Sequence, residues 1–444
     1  MAEQVNKLPL FPLTAGVNEK EHLVVGGCDT VELAAEFGTP LYVFDEFTLR
    51  SRCAEFKTEF NRYYPNTTVN YSCKAFINRA LLILIMEEGL GLDVVSGGEI
   101  GIAQSVDFPM DRVDFPGNNK SAEELISALN AGIHRIVVDN FHELKILGEI
   151  AGNRGCKPDI LLRISPGVDP HTHKYNITGN IDSKFGITMA LAGKAVETAM
   201  SMPEVNPLGL HFHIGSQITE TEPFTQAIEH ILEFAATMKE KHGFNCRELS
   251  IGGGFAVQYT LDAPAPPIST YAEVLTSSIM DNCDKLGLEK PQLIIEPGRS
   301  IVAQSGVALY TVGAVKDIPD IRRYVSLDGG MADNIRPALY QAELEAVAAN
   351  KMTDKEDRVV TISGKFCETG DIMIKDISLP VLLAGDILAV PGCGAYSIPE
   401  ASNYNASFKP AIVMVNEGNP RLIRRRETVE DLIRCDIIQI QDNK

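Results

Sequence analysis

Four kinds of reactive group stand where short apolar runs of the sequence end. Lys74 closes "TVNYSCK", and a lysine held among apolar neighbours loses its proton more easily and can form a Schiff base with an aldehyde. Glu296 follows "QLII", and a carboxylate there can keep a pyridine nitrogen protonated so that the ring accepts electrons. His213 offers an imidazole that can stack on an aromatic ring, and Gly252 to Gly254 let backbone N–H groups approach an anion closely. Together these groups describe a site for pyridoxal phosphate.

Each of these residues also has a structural explanation. A lone lysine at a strand end is usually a solvated surface charge, and a run of glycines is often only a turn. The side chains of His211 and His213, spaced H-x-H, are expected to face opposite sides of the strand. We therefore expect His211 to be a core histidine with a satisfied hydrogen bond and only His213 to be functional. Glu296 and Arg299 could simply pair with each other.

Eight short apolar runs between residues 69 and 301 must position these groups. They are, in chain order, "TVNYSCK", "LGLDVVSGG", "RVDFPGNN", "RIVVDN", "DILLRISPG", "LGLHFHIGSQ", "ELSIGGG" and "QLIIEPGR". Helix-like stretches separate most of them, including 121–132 with the capping box Ser121-x-x-Glu124, the long run 222–242, and 271–287, which ends at Gly287. Strands that alternate with helices pair in parallel through right-handed crossovers. Eight such units predict an α/β fold with a TIM-like (β/α)8 barrel, and an open doubly wound sheet remains the alternative.

The barrel interpretation gathers the candidate residues at one rim. In this fold reactive side chains lie at the carboxyl ends of the strands, and phosphate usually binds after strands 7 and 8. The strand-end residues are Lys74 after the first strand, Asp93 and Ser96 after the second, His213 and Ser216 after the sixth, Gly252, Gly253 and Gly254 after the seventh, and Glu296 and Arg299 after the eighth. We therefore expect a single site there.

The residue pattern of the sequence changes after Arg299. Residues 301–444 hold β-rich segments such as "GVALYTVGAVK" and "RVVTISG" and show little helical periodicity, which predicts an antiparallel β domain. The first 43 residues are also strand-and-turn-like. We predict an N-terminal segment of the β domain at 1–43, a cofactor-binding barrel at 44–301, and a C-terminal antiparallel β domain at 302–444 that the N-terminal segment completes.

A second group of reactive residues lies in this C-terminal part. The segments are "DGGMADNIRPALY" at 328–340, "GKFCETGDIM" at 364–373 and "GAYSIPEASNYN" at 394–405. A free cysteine is usually an inert small hydrophobe, but Cys367 stands beside Glu368 in a glycine-bounded turn. Such a thiol could protonate a carbanion after decarboxylation, acting as a general acid.

Composition excludes several classes of protein. Lys plus Arg total 40 against 59 for Asp plus Glu, a net charge of −19 over 444 residues, which repels phosphate backbones and anionic lipid surfaces. We expect no nucleic-acid partner. The longest unbroken apolar run, "ALLILIM" at 80–86, is far shorter than the roughly 20 residues of a membrane span. Nine scattered cysteines without C-x-x-C, and a start without a secretory signal, predict a soluble protein of the reducing cytoplasm.

Blocks spread over nearly the whole chain resemble one family. They are "YSCKAF", "DVVSGGE", "SKFGI", "HFHIGSQ", "SIGGGFAVQY", "EPGRSIVA", "IRPALY", "CETGD" and "GAYSIPEASNYN". Single blocks are weak, but this order is highly specific. The sequence resembles the fold-type III pyridoxal phosphate decarboxylases, most closely the branch that acts on diaminopimelate. The resemblance implies decarboxylation of meso-2,6-diaminopimelate at its D centre to L-lysine and carbon dioxide, the last step of lysine biosynthesis, with pyridoxal 5′-phosphate as cofactor and no metal.

The resemblance also implies roles for residues of this chain. Lys74 would bind the cofactor covalently, His213 would stack on its ring, Glu296 would pair with its nitrogen, and Cys367 would be the proton donor. The residues implied to hold the phosphate are Ser216, Gly252, Gly253, Gly254, Glu296, Pro297, Gly298, Arg299 and Tyr404. Those implied to bind the distal end of the substrate are Arg299, Arg336, Tyr340, Glu368 and Tyr404. In this family the Cys-Glu loop comes from the partner subunit, which implies a homodimer with shared active sites.

Two departures and three alternatives accompany the resemblance. The lysine motif "YSCKAF" lacks the small or aliphatic residues before the lysine and the asparagine that are commoner in the family, and Thr369 replaces a commoner serine. A decarboxylase of ornithine, arginine or carboxynorspermidine would share the cofactor residues. A metal-dependent barrel hydrolase could use "HTH" or "HFH", although too few further ligands accompany them. A cofactor-free regulatory relative should have lost Lys74 or Cys367, and both are present.

Overall fold

The chain divides into two compact units. The computed structural model describes residues 7–169 and 183–437. One unit, called here the barrel unit, comprises Arg50–Val257 and Pro264–Val302, and the other, the mixed-sheet unit, comprises Met1–Leu49, Gln258–Ala263 and Ala303–Lys444. The domain boundaries predicted from the sequence, 1–43, 44–301 and 302–444, stay a prediction. The sequence did not single out the short segment Gln258–Ala263 of the mixed-sheet unit.

The strands are numbered along the chain in three groups. The first four are β1 Gly16–Val17, β2 Leu23–Val25, β3 Cys28–Asp29 and β4 Leu41–Asp45. Those of the barrel unit are β5 Thr67–Ser72, β6 Gly91–Asp93, β7 Val113–Phe115, β8 Arg135–Val138, β9 Asp159–Ser165, β10 Ile187–Thr188, β11 Asn206–His211, β12 Glu248–Ser250 and β13 Gln292–Ile295. The last group is β14 Gly306–Ile318, β15 Arg322–Leu327, β16 Val347–Ala348, β17 Arg358–Ser363, β18 Ile372–Leu379, β19 Ile387–Val390, β20 Ala411–Asn416 and β21 Asn419–Arg424.

The barrel unit contains a closed, eight-stranded parallel sheet. The order of pairing is β9, β11, β12, β13, β5, β6, β7 and β8, and β8 pairs with β9 to close the ring. The short strand β10 adds to β9 outside this ring. Each predicted run contains one barrel strand, so the (β/α)8 prediction is confirmed and the open-sheet alternative is wrong. Closure brings the carboxyl ends of all eight strands to one rim.

Helices connect most of the strands and differ widely in length. They are α1 Thr30–Phe37, α2 Glu46–Tyr63, α3 Arg79–Glu87, α4 Gly97–Gln104, α5 Ala122–Ala131, α6 Phe141–Arg154, α7 Met189–Ser201, α8 Glu222–His242, α9 Ile268–Leu286, α10 Arg299–Val302, α11 Arg336–Tyr340 and α12 Val429–Ile433. The predicted capping box of α5 is formed by Ser121 and Glu124. Gly287 ends α9 in a left-handed conformation, as predicted. Among the described residues, no helix combines the length and the apolar character that crossing a membrane requires.

The mixed-sheet unit is built on β14 and β4. Its main sheet has the order β18, β17, β15, β14, β4, β20 and β21. Most neighbours are antiparallel, but β15 with β17 and β4 with β20 are parallel. The N-terminal segment therefore completes this sheet, as predicted, because β4 lies between β14 and β20. One local expectation was wrong: the first 43 residues also contain helix α1, whose first N–H groups are capped by the side chain of Asp29.

Apolar side chains fill the core of each unit. Inside the barrel, Val137, Leu161, Leu208 and Ile294 form a buried cluster. Arg135, also almost fully buried, bonds to the carboxylates of Asp114 and Glu248. A buried guanidinium is tolerated there because two carboxylates neutralise it. The barrel is therefore a packed scaffold that fixes the strand ends.

Candidate active site

The carboxyl ends of the barrel strands surround a cavity of about 320 Å³. Lys74 follows β5, Asp93 ends β6, His213 follows β11, and Glu296 follows β13. The full lining is Lys74, Asp93, Val95, Pro116, Gly117, Asn118, Asn119, Lys120, Arg163, Phe185, His211, His213 and Glu296. A larger groove of about 750 Å³ lies in the mixed-sheet unit beside β18, and none of the predicted site residues lines it. The chemistry therefore points to the smaller cavity.

Lys74 reaches this cavity because the chain turns immediately after β5. Cys73–Ala75 forms one turn of 3₁₀ helix, in which Cys73 and Ala75 are buried and Lys74 is exposed. The apolar neighbours hold the backbone while the amine points away from the core. Ser72, the last residue of β5, is the register partner of Asp93. A lysine at this place in the sequence therefore lies beside the end of the neighbouring strand.

Two buried carboxyl groups line the cavity, and their pKa values are shifted in opposite directions. Burial alone would raise the pKa of Glu296, but His211, Ser250 and Lys74 lower it to about 2. Its oxygens accept from Ser250 Oγ at 2.6 Å and face His211 Nε2 at 3.1 Å. This differs from the alternative in which Glu296 pairs with Arg299.

Asp93 provides the contrast. Burial and the charge of Glu296 raise its pKa well above the ordinary value. Asp93 Oδ2 accepts from Ser72 Oγ at 2.5 Å, and its Oδ1 has no hydrogen-bond partner among the described residues. Glu296 is therefore ionised at neutral pH, whereas Asp93 keeps its proton to a higher pH than an ordinary aspartate.

The two histidines of "HFH" line the same cavity. The prediction that they face opposite sides was wrong, because residues two apart on an extended chain point to the same face, and both rings line the cavity. His211 is buried and bonds to Glu296, as expected of a satisfied core histidine. Burial, with the nearby charges of Lys74 and Arg163, lowers the pKa of His213 well below its ordinary value. Its neutral ring accepts a hydrogen bond at Nδ1 from the N–H of Gly253 at 3.2 Å.

The glycine turn has no room for side chains. A Cβ on Gly253 would lie 2.3 Å from the carbonyl oxygen of Glu296, and one on Gly254 would lie 2.5 Å from that of Gly215. Gly254 also has a φ of +109°. Backbone can therefore approach backbone here only because Cβ atoms are missing, which is the property that an anion-binding turn requires.

Arg299 and Ser216 lie side by side in the barrel unit. Arg299 donates to Ser216 Oγ from Nε at 3.2 Å and from Nη2 at 3.1 Å. The Pro297 carbonyl accepts from the N–H of Ser72 at 3.1 Å, and Gly298 follows it into α10. Ser96, also a strand-end residue, caps α4 through the N–H of Glu99. Its role is therefore structural.

Sequence reasoning missed Arg163 and Phe185 in the cavity lining. The guanidinium of Arg163 lies 4.6 Å from the centre of the Phe185 ring, and its Nη1 is 3.7 Å from Asp139. Phe185 belongs to the block "SKFGI", which marked the resemblance without receiving a role. Arg163 stands inside "DILLRIS", where an arginine in an apolar strand was the available signal.

In the mixed-sheet unit, Cys367 lies on an exposed loop. Its N–H donates to Asn405 Oδ1 at 2.9 Å, and its carbonyl accepts from the hydroxyl of Tyr404 at 3.2 Å. Glu368 is also exposed and accepts from the N–H of Gly370 at 3.3 Å. The structure thus brings together three predicted residues, Cys367, Glu368 and Tyr404, within this unit.

Arg336 is the first residue of α11. Among the candidate residues of the mixed-sheet unit, it is a cation that is buried. Its guanidinium lies 4.4 Å from the centre of the Tyr259 ring, and within the described part of the chain its Nη1 has no hydrogen-bond partner. Tyr340 ends the same helix and donates to Glu400 at 3.2 Å. Tyr259 was missed, although it closes the block "SIGGGFAVQY". A buried donor without a partner is suited to an anionic ligand.

The residues of the barrel cavity fit pyridoxal phosphate. They supply an exposed amine, an ionised carboxylate and a neutral imidazole. The glycine turn is not part of the cavity lining but contacts it, because the N–H of Gly253 donates to His213. Metal ligation is a separate matter: no group of three or more His, Cys, Asp or Glu suited to a metal occurs in 7–169 and 183–437. The "HTH" pair at 171–173 lies outside the described residues.

Comparison with known proteins agrees with this chemistry. Residues 47–303 match the model of the pyridoxal-dependent decarboxylase, pyridoxal binding domain. The diaminopimelate decarboxylase of Bacillus subtilis is 44% identical over 96% of this chain and 97% of its own length. That of Synechocystis is 41% identical over 97% and 93%. The crystal structure of the diaminopimelate decarboxylase of M. jannaschii with L-lysine superimposes with a TM-score of 0.90 at 36% identity, covering 96% of this chain and 98% of the other. The chain therefore belongs to the pyridoxal-dependent decarboxylases, within the family of diaminopimelate decarboxylases.

Proposed function

We propose that this protein decarboxylates meso-2,6-diaminopimelate at its D centre and releases L-lysine and carbon dioxide. The observation that carries the proposal is the barrel cavity, which is lined by both an exposed Lys74 and an ionised Glu296. The chain is also similar to diaminopimelate decarboxylases over nearly its whole length. Bound L-lysine in the similar M. jannaschii structure supports the identity of the product. The cofactor is pyridoxal 5′-phosphate.

Four parts of the barrel unit would hold the cofactor. Lys74 would bind its aldehyde, His213 would lie against its ring, and the carboxylate of Glu296 would pair with its nitrogen. The phosphate would be held by Ser216, Gly252, Gly253, Gly254, Pro297, Gly298 and Arg299, and the family resemblance adds Tyr404. When bound, pyridoxal phosphate draws off the electron pair that carbon dioxide leaves behind.

The electrostatics of the chain support that chemistry. With a pKa of about 2, Glu296 stays ionised at neutral pH and can hold a proton on a partner nitrogen. His211 and Ser250 fix the carboxylate from the protein side. The neutral ring of His213 adds no second positive charge, and its Nδ1 is held by the N–H of Gly253. These residues would therefore fix the orientation of the cofactor ring and keep its nitrogen protonated.

Substrate recognition would depend on the far end of the molecule. The second amino acid group of diaminopimelate carries a carboxylate and an ammonium, which Arg299, Arg336, Tyr340, Glu368 and Tyr404 would bind. Arg336 supports this assignment, because it is buried and its Nη1 lacks a partner among the residues described. A guanidinium in that state distinguishes a distal carboxylate from the plain amine tail of ornithine or lysine.

Cys367 would return the proton to the carbon that lost carbon dioxide. Its loop is exposed, and its backbone is fixed at N–H and carbonyl by Asn405 and Tyr404. A thiol held in this way can act as a general acid. We further propose a cytoplasmic homodimer in which each Cys367 loop completes the active site of the partner subunit.

Product analysis tests the reaction directly. Purified protein is incubated with pyridoxal phosphate and the meso, LL or DD isomer of diaminopimelate, and with ornithine, arginine and carboxynorspermidine. We expect carbon dioxide and L-lysine in equal amounts from the meso isomer and none from the LL isomer, which has no D centre. Faster release of carbon dioxide from one of the other amino acids would contradict the proposed substrate.

Mixing inactive variants tests the dimer. Lys74→Ala is expected to be inactive and Cys367→Ala to keep about 1% of the activity. After unfolding and refolding together they should recover about a quarter of the wild-type activity, because half the dimers contain one intact site. No recovery, with refolding of the wild type as control, would show that each site is built by one subunit.

A further inference from the structure

Asp371 closes the block "CETGD" and has no role in the mechanism above. It is 3% exposed, whereas Cys367 and Glu368 of the same loop are exposed. Burial of a carboxylate is costly unless hydrogen bonds replace water. Its partners therefore indicate what this residue does.

The carboxylate of Asp371 bonds to two separate loops. Its Oδ2 accepts from the N–H of Phe366 at 2.9 Å, directly before Cys367, and its Oδ1 accepts from the N–H of Met331 at 2.7 Å. The backbone adds a third link, because the N–H of Lys365 donates to the carbonyl of Gly329 at 3.1 Å. Asp371 thus joins the Cys367–Glu368 loop to the segment around Met331.

Glycines on both loops allow this close contact. A Cβ on Gly364 would lie 2.1 Å from Asp371 Oδ2, and one on Gly330 would lie 2.5 Å from Oδ1. Gly330 has a φ of +155°, where an L side chain is strained. The carboxylate therefore fits between the two loops only because Gly364 and Gly330 have no side chains.

The segment around Met331 leads directly to Arg336. The carbonyl of Gly330 accepts from the N–H of Asp333 at 3.1 Å and of Asn334 at 3.0 Å, which forms the turn before α11. Asp371 consequently holds two functional candidates of the mixed-sheet unit in a fixed relation: the thiol of Cys367 and the guanidinium of Arg336.

We propose that Asp371 is a positioning residue that locks the Cys367–Glu368 loop to the segment preceding Arg336, so that the proton donor and the arginine for the substrate's far end are set together. The proposal rests on the proposed function for its catalytic consequence. Its structural consequence, the placement of Cys367, can be measured without turnover.

The test uses Asp371→Asn in the full-length holoenzyme. Asparagine keeps one acceptor oxygen but presents an NH₂ group to one of the two N–H donors, so one loop loses its bond. We expect kcat to fall by about tenfold or more and KM to rise, since a misplacement of about 1 Å can cost about 10²-fold. The visible band of bound cofactor should not change. Asp371→Ala should be more severe, and Asp371→Glu should not restore kcat in this tight slot.

Alkylation of Cys367 by iodoacetamide, followed by peptide mapping, gives a readout independent of activity. The exposed Cys156 and Cys435 serve as internal references. We expect the rate at Cys367 to change by about threefold or more in Asp371→Asn, with the reference rates unchanged. Gly330→Ala, which pushes on the carboxylate from the other loop, should shift the same rate if Asp371→Asn fails to fold.

Asp386→Asn is the matched control, because Asp386 is also a buried aspartate of the mixed-sheet unit that accepts a backbone N–H, from Leu383 at 2.7 Å. It should lower stability without changing kcat or Cys367 alkylation. Asp371→Asn behaving in the same way, with only stability reduced, would overturn the proposal. A wild type that releases no carbon dioxide from meso-diaminopimelate would instead refute the proposed function and leave the alkylation result to decide the role of Asp371.

Discussion

The barrel unit and the mixed-sheet unit hold their functional candidates in different ways. In the barrel unit, Lys74, His211 and Glu296 stand at or just after the ends of parallel strands. Register between strands brings them together, for example by pairing His211 with Ser250. In the mixed-sheet unit, Cys367 and Tyr404 lie on loops, and side-chain bonds to backbone groups fix their positions.

The difference shows which kind of site can be predicted from a sequence pattern and which cannot. Strand ends are fixed by sheet geometry, so residues remote in sequence meet at the rim whatever the loops do. Loops need their own supports, and buried aspartates such as Asp333 and Asp371 supply them. Substitutions in the barrel unit should therefore change chemistry with little movement, whereas those in the mixed-sheet unit should act through displacement.

The largest effect is expected for Glu296→Gln. The amide cannot supply the negative charge that the ionised carboxylate, with its pKa of about 2, offers to a protonated ring nitrogen. In steady-state assays we expect kcat to fall by about 10³-fold. Pyridoxal phosphate should still bind to the variant. Ser250→Ala, which removes only one hydrogen bond to the same carboxylate, is the graded control. Equal losses in the two variants would contradict the electrostatic role.

Cys367→Ala should be next. Without the thiol, protonation depends on water, and we expect kcat to fall by about 10²-fold with little change in KM. Cys156→Ala, another exposed cysteine, should behave as the wild type. A large rise in KM at unchanged kcat would assign Cys367 to substrate binding instead.

Arg336 and Tyr259 form a paired test. Arg336→Leu removes charge-assisted hydrogen bonds and should reduce kcat/KM for meso-diaminopimelate by about 50-fold. Tyr259→Leu removes the ring 4.4 Å from that guanidinium and should reduce it by about fivefold. Tyr259→Phe keeps the ring and should restore most of the loss. No restoration by phenylalanine would show that the hydroxyl, not the stacking, is what matters.

The smallest effect concerns pH and Asp333. Burial raises the pKa of Asp333 to about 6, although the Tyr310 hydroxyl and the Gly330 N–H bond to it. Its native carboxyl binds a proton more tightly than in the unfolded chain, so its contribution to stability is complete below about pH 4 and is lost as the pH rises through about 6.

Asp333→Asn removes that titration. Between pH 4 and 7 the free energy of unfolding of the wild type should fall relative to the variant by about 1 to 2 kcal/mol, measured by urea unfolding. Asp386→Asn serves as control: because the pKa of Asp386 is shifted down, its contribution to stability is lost only as the pH falls below about 4, so the wild type should not lose stability relative to this variant between pH 4 and 7. Parallel pH profiles for the wild type and Asp333→Asn would show that Asp333 is not the titrating group.

The barrel could be predicted because its elements repeat. Alternating apolar runs and capped helices gave all eight strands, and the strand-end rule placed Lys74, Asp93, His213 and Glu296 in one cavity. The facing of His211 and His213 was predicted wrongly, because residues two apart on a strand share a face and both rings therefore enter the cavity. Helix α1 was missed because its apolar pattern is short.

The supports in the mixed-sheet unit could not be predicted for a different reason. Asp371 bonds to Met331, forty positions earlier, and Tyr259 packs on Arg336, which is farther still along the chain. Such long-range pairs leave no periodic trace in one sequence. The blocks "CETGD" and "SIGGGFAVQY" contain Asp371 and Tyr259, but neither residue received a role from the sequence.

Reductive trapping of the cofactor tests the central assignment most directly. The protein is incubated with pyridoxal phosphate, reduced with borohydride and digested, and the pyridoxyl group is located by mass spectrometry. A single modified residue, Lys74, in the wild type and no modification in Lys74→Arg, which keeps the charge, is the expected result. Modification of another lysine, such as the cavity residue Lys120, or unchanged labelling in the variant, would contradict the account.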